Sequence, residues 1–100
     1  MGFAESARSW KLIDNHILRA ECPNRAGEWI ESDLDLDTCL GNENGAFQWG
    51  GKDFSGKAGE IKLDGVFLTA WLPARDGQMK GEYVILDNRI SNDDGKLHFA

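Results

Sequence analysis

Residues 18–27 read LRAECPNRAG, and residues 68–77 read LTAWLPARDG. At a shift of 50 they match at Leu18/Leu68, Ala20/Ala70, Pro23/Pro73, Arg25/Arg75 and Gly27/Gly77. The same shift pairs Leu36/Leu86, Asp37/Asp87, Asn42/Asn92 and Gly45/Gly95. Toward the N-terminus the shift becomes 51, pairing Phe3/Phe54, Ala7/Ala58, Lys11/Lys62 and Leu12/Leu63. The one-residue slip falls around Asp14-Asn15-His16 and Asp64-Gly65, where a turn tolerates an indel. A unit of this length present only twice is not a stacked array. It is a duplication, with internal repeats 1–50 and 51–100 in one domain spanning residues 1–100.

Within the matched stretch, Leu18, Ala20 and Cys22 alternate with Arg19 and Glu21, and in the copy Leu68, Ala70 and Leu72 alternate with Thr69 and Trp71. Period two marks a strand with one inward face. Asn24–Gly27 and Ala74–Gly77 read as hairpin turns, and return strands follow from Trp29 to Leu34 and from Gln78 to Ile85. Trp10 and Leu12, like Ile61 and Leu63, share parity and predict an earlier strand in each repeat. Leu36 and Leu40, and Leu86 and Ile90, are four apart, which fits one short helical turn. Asn44-Gly45 and Asp94-Gly95 then carry the strongest hairpin signal, because type I′ turns need positive φ at both central residues. Gly50-Gly51-Lys52-Asp53 is the only flexible junction. The expected class is all-β, with about ten short strands and isolated helical turns.

One hundred residues make one domain. About 50 residues bury too little surface to stand alone, so the halves share a core. The net charge is −6 with no basic run, which argues against nucleic acid and anionic lipid as partners. No segment approaches the roughly 18 apolar residues of a membrane span. The N-terminus has no apolar signal core, which predicts a cytoplasmic or otherwise non-classically exported protein. Cys22 and Cys39 match no zinc spacing, and their repeat partners are Leu72 and Arg89, so two reduced thiols are expected.

Asp33, Asp35 and Asp37 resemble the start of a calcium loop, but Thr38 stands where that loop turns on Gly and Asn44 where it needs Glu. Neither His16 nor His98 forms a catalytic constellation, and no enzyme or cofactor is expected. Trp71 has the parity opposite to its inward neighbours and should face outward, as a covered edge residue, a stacking platform or a protein contact. The repeated polar turns matter most. Arg25 and Arg75 sit on hairpin tips, and Asn42 and Asn92 open the second turns. Amides, carboxylates and guanidinium groups can each grip neighbouring hydroxyls, although turns also choose such residues for backbone reasons.

These segments resemble the cyanovirin-N homology lectin family. The resemblance is carried by Gly27-Glu28-Trp29, by Ser32 to Asp37, by Gly41 to Ser55 and by Leu86 to Gly95, and it spans essentially the whole chain. It implies two pseudo-symmetric, segment-exchanged modules, each a three-stranded sheet plus a β-hairpin. It implies metal-independent binding of mannose-type oligosaccharides, especially α(1→2)-linked mannose, at two sites on opposite ends. One site would use Gly2, Glu5, Ser6, Pro23, Asn24, Arg25, Asn92, Asp93 and Asp94. The other would use Gly41, Asn42, Glu43, Asn44, Lys52, Asp53, Gly56, Lys57, Pro73, Ala74, Arg75 and Asp76.

Founding members carry a disulfide in each module, whereas here Ala7 stands opposite Cys22, and Ala58 opposite Leu72. Relatives also carry a LysM module, so another module fused or inserted in a full-length protein fits the family. Glu5 and Ser6 correspond to Gly56 and Lys57, which favours the first site over the second as the mannose site. The rival is a protein-interaction scaffold that has lost sugar binding. The glycine-rich junction predicts a monomer.

Overall fold

The inward parity of the matched stretch builds the centre of each sheet. In the computed structural model, which describes residues 2–99, β1 (Ser9–Ile13), β2 (Ile17–Pro23) and β3 (Trp29–Asp35) form one antiparallel sheet in that order. β4 (Leu40–Glu43) and β5 (Ala46–Trp49) form a hairpin. The second repeat gives the sheet β6 (Gly59–Asp64), β7 (Phe67–Pro73) and β8 (Met79–Ile85), then the hairpin β9 (Ile90–Asp93) and β10 (Lys96–Phe99). Leu18, Ala20 and Cys22 are buried on β2, and Leu68, Ala70 and Leu72 on β7.

The short turns at Leu36–Thr38 and Leu86–Asn88 are 3₁₀ turns, as the four-residue spacing predicts. Two further 3₁₀ turns, Phe3–Glu5 and Phe54–Gly56, were not legible from periodicity. Three residues are too few to show a period, and only the matched Phe3/Phe54 pair signals them. Each turn plugs a fully buried phenylalanine into the core, a contribution of roughly 1.5–3 kcal/mol apiece.

The slip between repeats is a difference of turn. Asp14 and Asn15 both hold positive φ between β1 and β2, where the copy has Gly65 at φ 61°. A second irregularity went unread: β6 bulges between Gly59 and Lys62, and Glu60 there holds φ 47°.

The hairpins have changed places. β9–β10 packs on β2, β3 and the Phe3–Glu5 turn, while β4–β5 packs on β8 and the Phe54–Gly56 turn. The Leu97 amide donates to Ser32 Oγ at 3.0 Å, across repeats. Each module is therefore a sheet from one repeat and a hairpin from the other, with one hydrophobic cluster drawing on both. The modules meet through β1 and β6, where Trp10 Nε1 donates to the Gly65 carbonyl at 2.8 Å. β2 and β7 each run about 20 Å along seven residues, which carries their tips away from this join in a molecule measuring 50 × 21 × 18 Å.

The junction is tighter than its glycines suggest. Gly41 bridges Asp53, and the Asp53 amide donates to the Asp37 carbonyl at 2.9 Å. A Cβ on Gly51 would lie 2.9 Å from the Gly41 Cα, so the glycines serve close backbone approach as well as turning.

Candidate functional site

At the end built on β2–β3, the hairpin tip meets the β9–β10 turn and the Phe3–Glu5 turn. Asn92 makes this junction. Its Nδ2 donates to the Pro23 carbonyl at 2.9 Å and to Ser6 Oγ at 3.2 Å, and its Oδ1 accepts the Gly95 amide at 2.8 Å. Asp94 Oδ1 accepts the Arg25 amide at 2.8 Å. Asn24 closes the tip by accepting the Ala26 and Glu28 amides, while its Nδ2 donates to Glu28 Oε1 at 3.2 Å. The Arg25 guanidinium stands over this, 83% exposed, 4.0 Å from Asp93 and 3.8 Å from Asp94.

The other end repeats the pattern. Asn42 Nδ2 donates to the Pro73 carbonyl at 2.9 Å, and its Oδ1 accepts the Gly45 amide at 2.8 Å. Asn44 Oδ1 accepts the Arg75 amide at 2.8 Å. Here the guanidinium is held harder, with Arg75 Nη2 at 2.7 Å from Glu43 Oε1. Two shallow depressions flank Asn42. One of about 360 Å³ is lined by Lys52, Asp53, Phe54, Gly56 and Lys57, and one of about 330 Å³ by Glu43, Asn44, Lys57, Pro73, Ala74 and Arg75. Asp76 faces its own loop, accepting the Gln78 amide at 3.0 Å.

The structure therefore brings both sequence-derived sets together, each from both repeats. It also divides their labour. Asn42, Asn92, Asn24 and one oxygen of Asp94 hold backbone, whereas Arg25, Asp93, Glu43 and Arg75 project outward. The asparagines, grouped with the gripping residues in the sequence, are clamps whose polar atoms are engaged within the fold.

Two positioning residues escaped the sequence reading. Asp37 accepts the Ser55 amide at 3.0 Å and the Ser55 hydroxyl, fixing the loop that carries Lys52 to Lys57. Asp87 accepts the Ala4 amide at 2.8 Å, fixing the Phe3–Glu5 turn. The repeated Asp37/Asp87 pair was the available signal. The ends differ beneath these carboxylates. A Cβ at Gly2 would fall 1.9 Å from Asp87 Oδ1, while Asp53, its counterpart, carries a side chain and holds a left-handed φ of 61°.

The acidic run is accounted for by structure. Asp33 accepts from Nε and Nη2 of Arg19 at 2.8 and 2.9 Å, and Asp35 caps the 3₁₀ turn through the Asp37 amide. His16 Nδ1 lies 2.7 Å from Asp35 and 3.6 Å from Asp37, and among the described residues these three are the group whose ligand atoms lie close enough to share a metal ion. The hydrogen bond to Asp35 holds the imidazole above its ordinary range and the Asp35 carboxyl below its own. This cluster ties the β1–β2 turn to the 3₁₀ turn, and through Asp37 it backs the loop that carries Lys52 to Lys57.

What fold and loops describe is a pseudo-symmetric all-β domain with a like set of exchanged loops at each end. Residues 3–98 match the CVNH domain model. A cyanovirin-N homolog from Tuber borchii is 43% identical, with 99% of each chain covered. The NMR structure of the Gibberella zeae CVNH protein superposes with a TM-score of 0.91 at 46% identity, covering 97% of this chain and 95% of that one. A microvirin–mannobiose complex superposes with a TM-score of 0.87 at 30% identity, covering 99% and 98%. The chain belongs to the cyanovirin-N homology family, whose members are carbohydrate-binding lectins.

Proposed function

We propose that this chain binds α(1→2)-linked mannose through its two loop ends, by hydrogen bonds and without metal or catalysis. The observation that carries the reading is the convergence, twice, of loops from both repeats beneath an exposed arginine, beside Asp93 and Asp94 at one end and Glu43 at the other. Such a set can donate to one hydroxyl and accept from its neighbour, which suits the vicinal hydroxyls of a hexose. The mannobiose complex of microvirin supports it.

The first end is the stronger site. Arg25 lies at the outer limit of ion-pair distance from its carboxylates and can turn to a ligand, whereas Arg75 must first leave Glu43. Ser6 also brings a hydroxyl that Lys57 does not replace. The depressions beside Asn42 favour the opposite ranking, since concave surface removes more of a ligand from water.

Each hydrogen bond to sugar replaces one to water and nets about 0.5–1.5 kcal/mol. The dissociation constant per site should therefore lie between about 10 μM and 1 mM. Calorimetry with α(1→2)-mannobiose, with and without EDTA, tests this. Unchanged heats in EDTA are expected, and absence of binding to the disaccharide at millimolar concentration would overturn the proposal.

A further inference from the structure

The outward face of β6–β7–β8 carries a groove between two aromatic side chains, and nothing in the loop sites uses it. Trp71 and Tyr83 are 46% and 62% exposed, and Phe67 packs on Tyr83 with ring centroids 5.9 Å apart. Trp71 lies between two glycines, paired with Gly59 on β6 and Gly81 on β8. A Cβ on Gly81 would come within 3.3 Å of the indole six-membered ring, so that ring rests over bare backbone and keeps its outer side open. Thr69, Ala70, Lys62, Glu60 and Glu82 complete a groove of about 340 Å³. Glu60 reaches it because the β6 bulge holds that residue at φ 47°, a costly conformation for a residue with a side chain and one that re-aims it.

The matching face of the other sheet has a groove of the same volume, about 340 Å³, but a polar one, lined by Ser9, Lys11, Arg19, Glu21 and Glu31. There Glu21 stands in place of Trp71 and pairs with Arg8 at 3.2 Å, and Asp33 stands in place of Tyr83 and takes the Arg19 fork. Arg8 also covers Trp29, 4.3 Å from its ring centroid. One groove is lined by ion-paired side chains and the other by an open indole.

We infer that the Trp71–Tyr83 groove is a third glycan-binding surface, selective for β(1→4)-linked pyranoses with equatorial substituents. In such rings the axial positions bear only hydrogen, so both faces are apolar and can lie on an indole, while the hydroxyl rim points sideways. Thr69, Lys62 and Glu60 stand at that rim with donors and acceptors. Aromatic platforms bind flat rings in this way with little loss of side-chain freedom. A protein partner fits less well, because the cores of protein interfaces are depleted of charge and this groove holds Lys62 and Glu60 beside the indole. The inference rests on the lectin reading only in taking glycans as the ligands this chain meets.

The test is an amide and indole NMR titration with cellotriose and, separately, with triacetylchitotriose, which share the equatorial backbone and differ at the 2-substituent. Shifts at the Trp71 indole and at Thr69 and Gly81, with either sugar, are expected. Trp71→Ala should weaken them at least about tenfold, with Trp71→Phe intermediate. Tyr83→Ala removes the other wall at a more exposed position, should Trp71→Ala fail to fold. α(1→2)-Mannobiose titrated into Trp71→Ala should still shift the loop ends, so loss of one site is separable from loss of the other. No shift at this face with either sugar at about 10 mM would overturn the inference, a concentration far above the weak range of such sites. So would shifts there that follow protein concentration without sugar, which would mark self-pairing.

Discussion

The side-chain amide of Asn92 donates to the backbone carbonyl of Pro23, 69 residues away, at 2.9 Å. Asn42 and Pro73 repeat the bond at the same distance. Each asparagine therefore pins a hairpin from one repeat to the sheet tip of the other. Asn92→Ala leaves the half-buried Pro23 carbonyl and Gly95 amide without these partners, and should cost about 1–3 kcal/mol. Urea denaturation measures it, and Asn42→Ala should cost a similar amount. Stability unchanged in both would show that the clamps carry nothing.

Arg25→Ala and Arg75→Ala act differently. Both guanidinium groups are largely exposed, at 83% and 74%. Neither change should alter the denaturation midpoint, while each should weaken mannobiose at its own end by about tenfold. Per-end amide shifts separate the two effects.

Cys22 and Cys39 are free and buried, and burial raises both thiols above their ordinary range. Reductant should leave the melting temperature unchanged. A thiol reagent should react slowly with the native protein and count two thiols in denaturant.

Gly51 tests the junction. Gly51→Ala sets a Cβ 2.9 Å from backbone on Gly41, and overpacking of this kind costs about 1–3 kcal/mol. The native chain should elute as a monomer in sizing with light scattering, and the variant should show a lower urea midpoint.

His16 gives stability a pH dependence. Its folded-state pKa is raised, chiefly by the hydrogen bond to Asp35, so its contribution is complete below the ordinary imidazole value and fades as pH rises through the raised one. Asp35 is depressed, chiefly by His16, so its contribution is lost as acid approaches that lower value. Between about pH 5.5 and pH 8.5 the urea midpoint should fall in the native chain, and His16→Asn should flatten that fall.

Much of this was legible because the duplication let each repeat check the other. Parity on β2 and β7, the two Asx-Gly hairpins and the short turns after β3 and β8 followed from residues alone. The Phe3–Glu5 and Phe54–Gly56 turns did not, because three residues set no period. The Glu60 bulge was hidden because its one-residue phase shift falls at the start of β6, where Gly59 has no side chain to mark the parity before it. The site lists gathered loops that the fold brings together, but residue type could not say that Asn42 and Asn92 face backbone while Arg25 and Arg75 face outward. That distinction depends on which carbonyl the exchanged hairpin brings near.

The central claim is that glycan hydrogen bonding takes place at the two exchanged-loop ends. An amide NMR titration with α(1→2)-mannobiose reports binding and place together. The account predicts shifts confined to the loops around Ser6, Arg25 and Asp94 and those around Asn44, Asp53 and Arg75, with the first group saturating at lower sugar. No shifts at either end, or shifts confined to other surfaces, would contradict it.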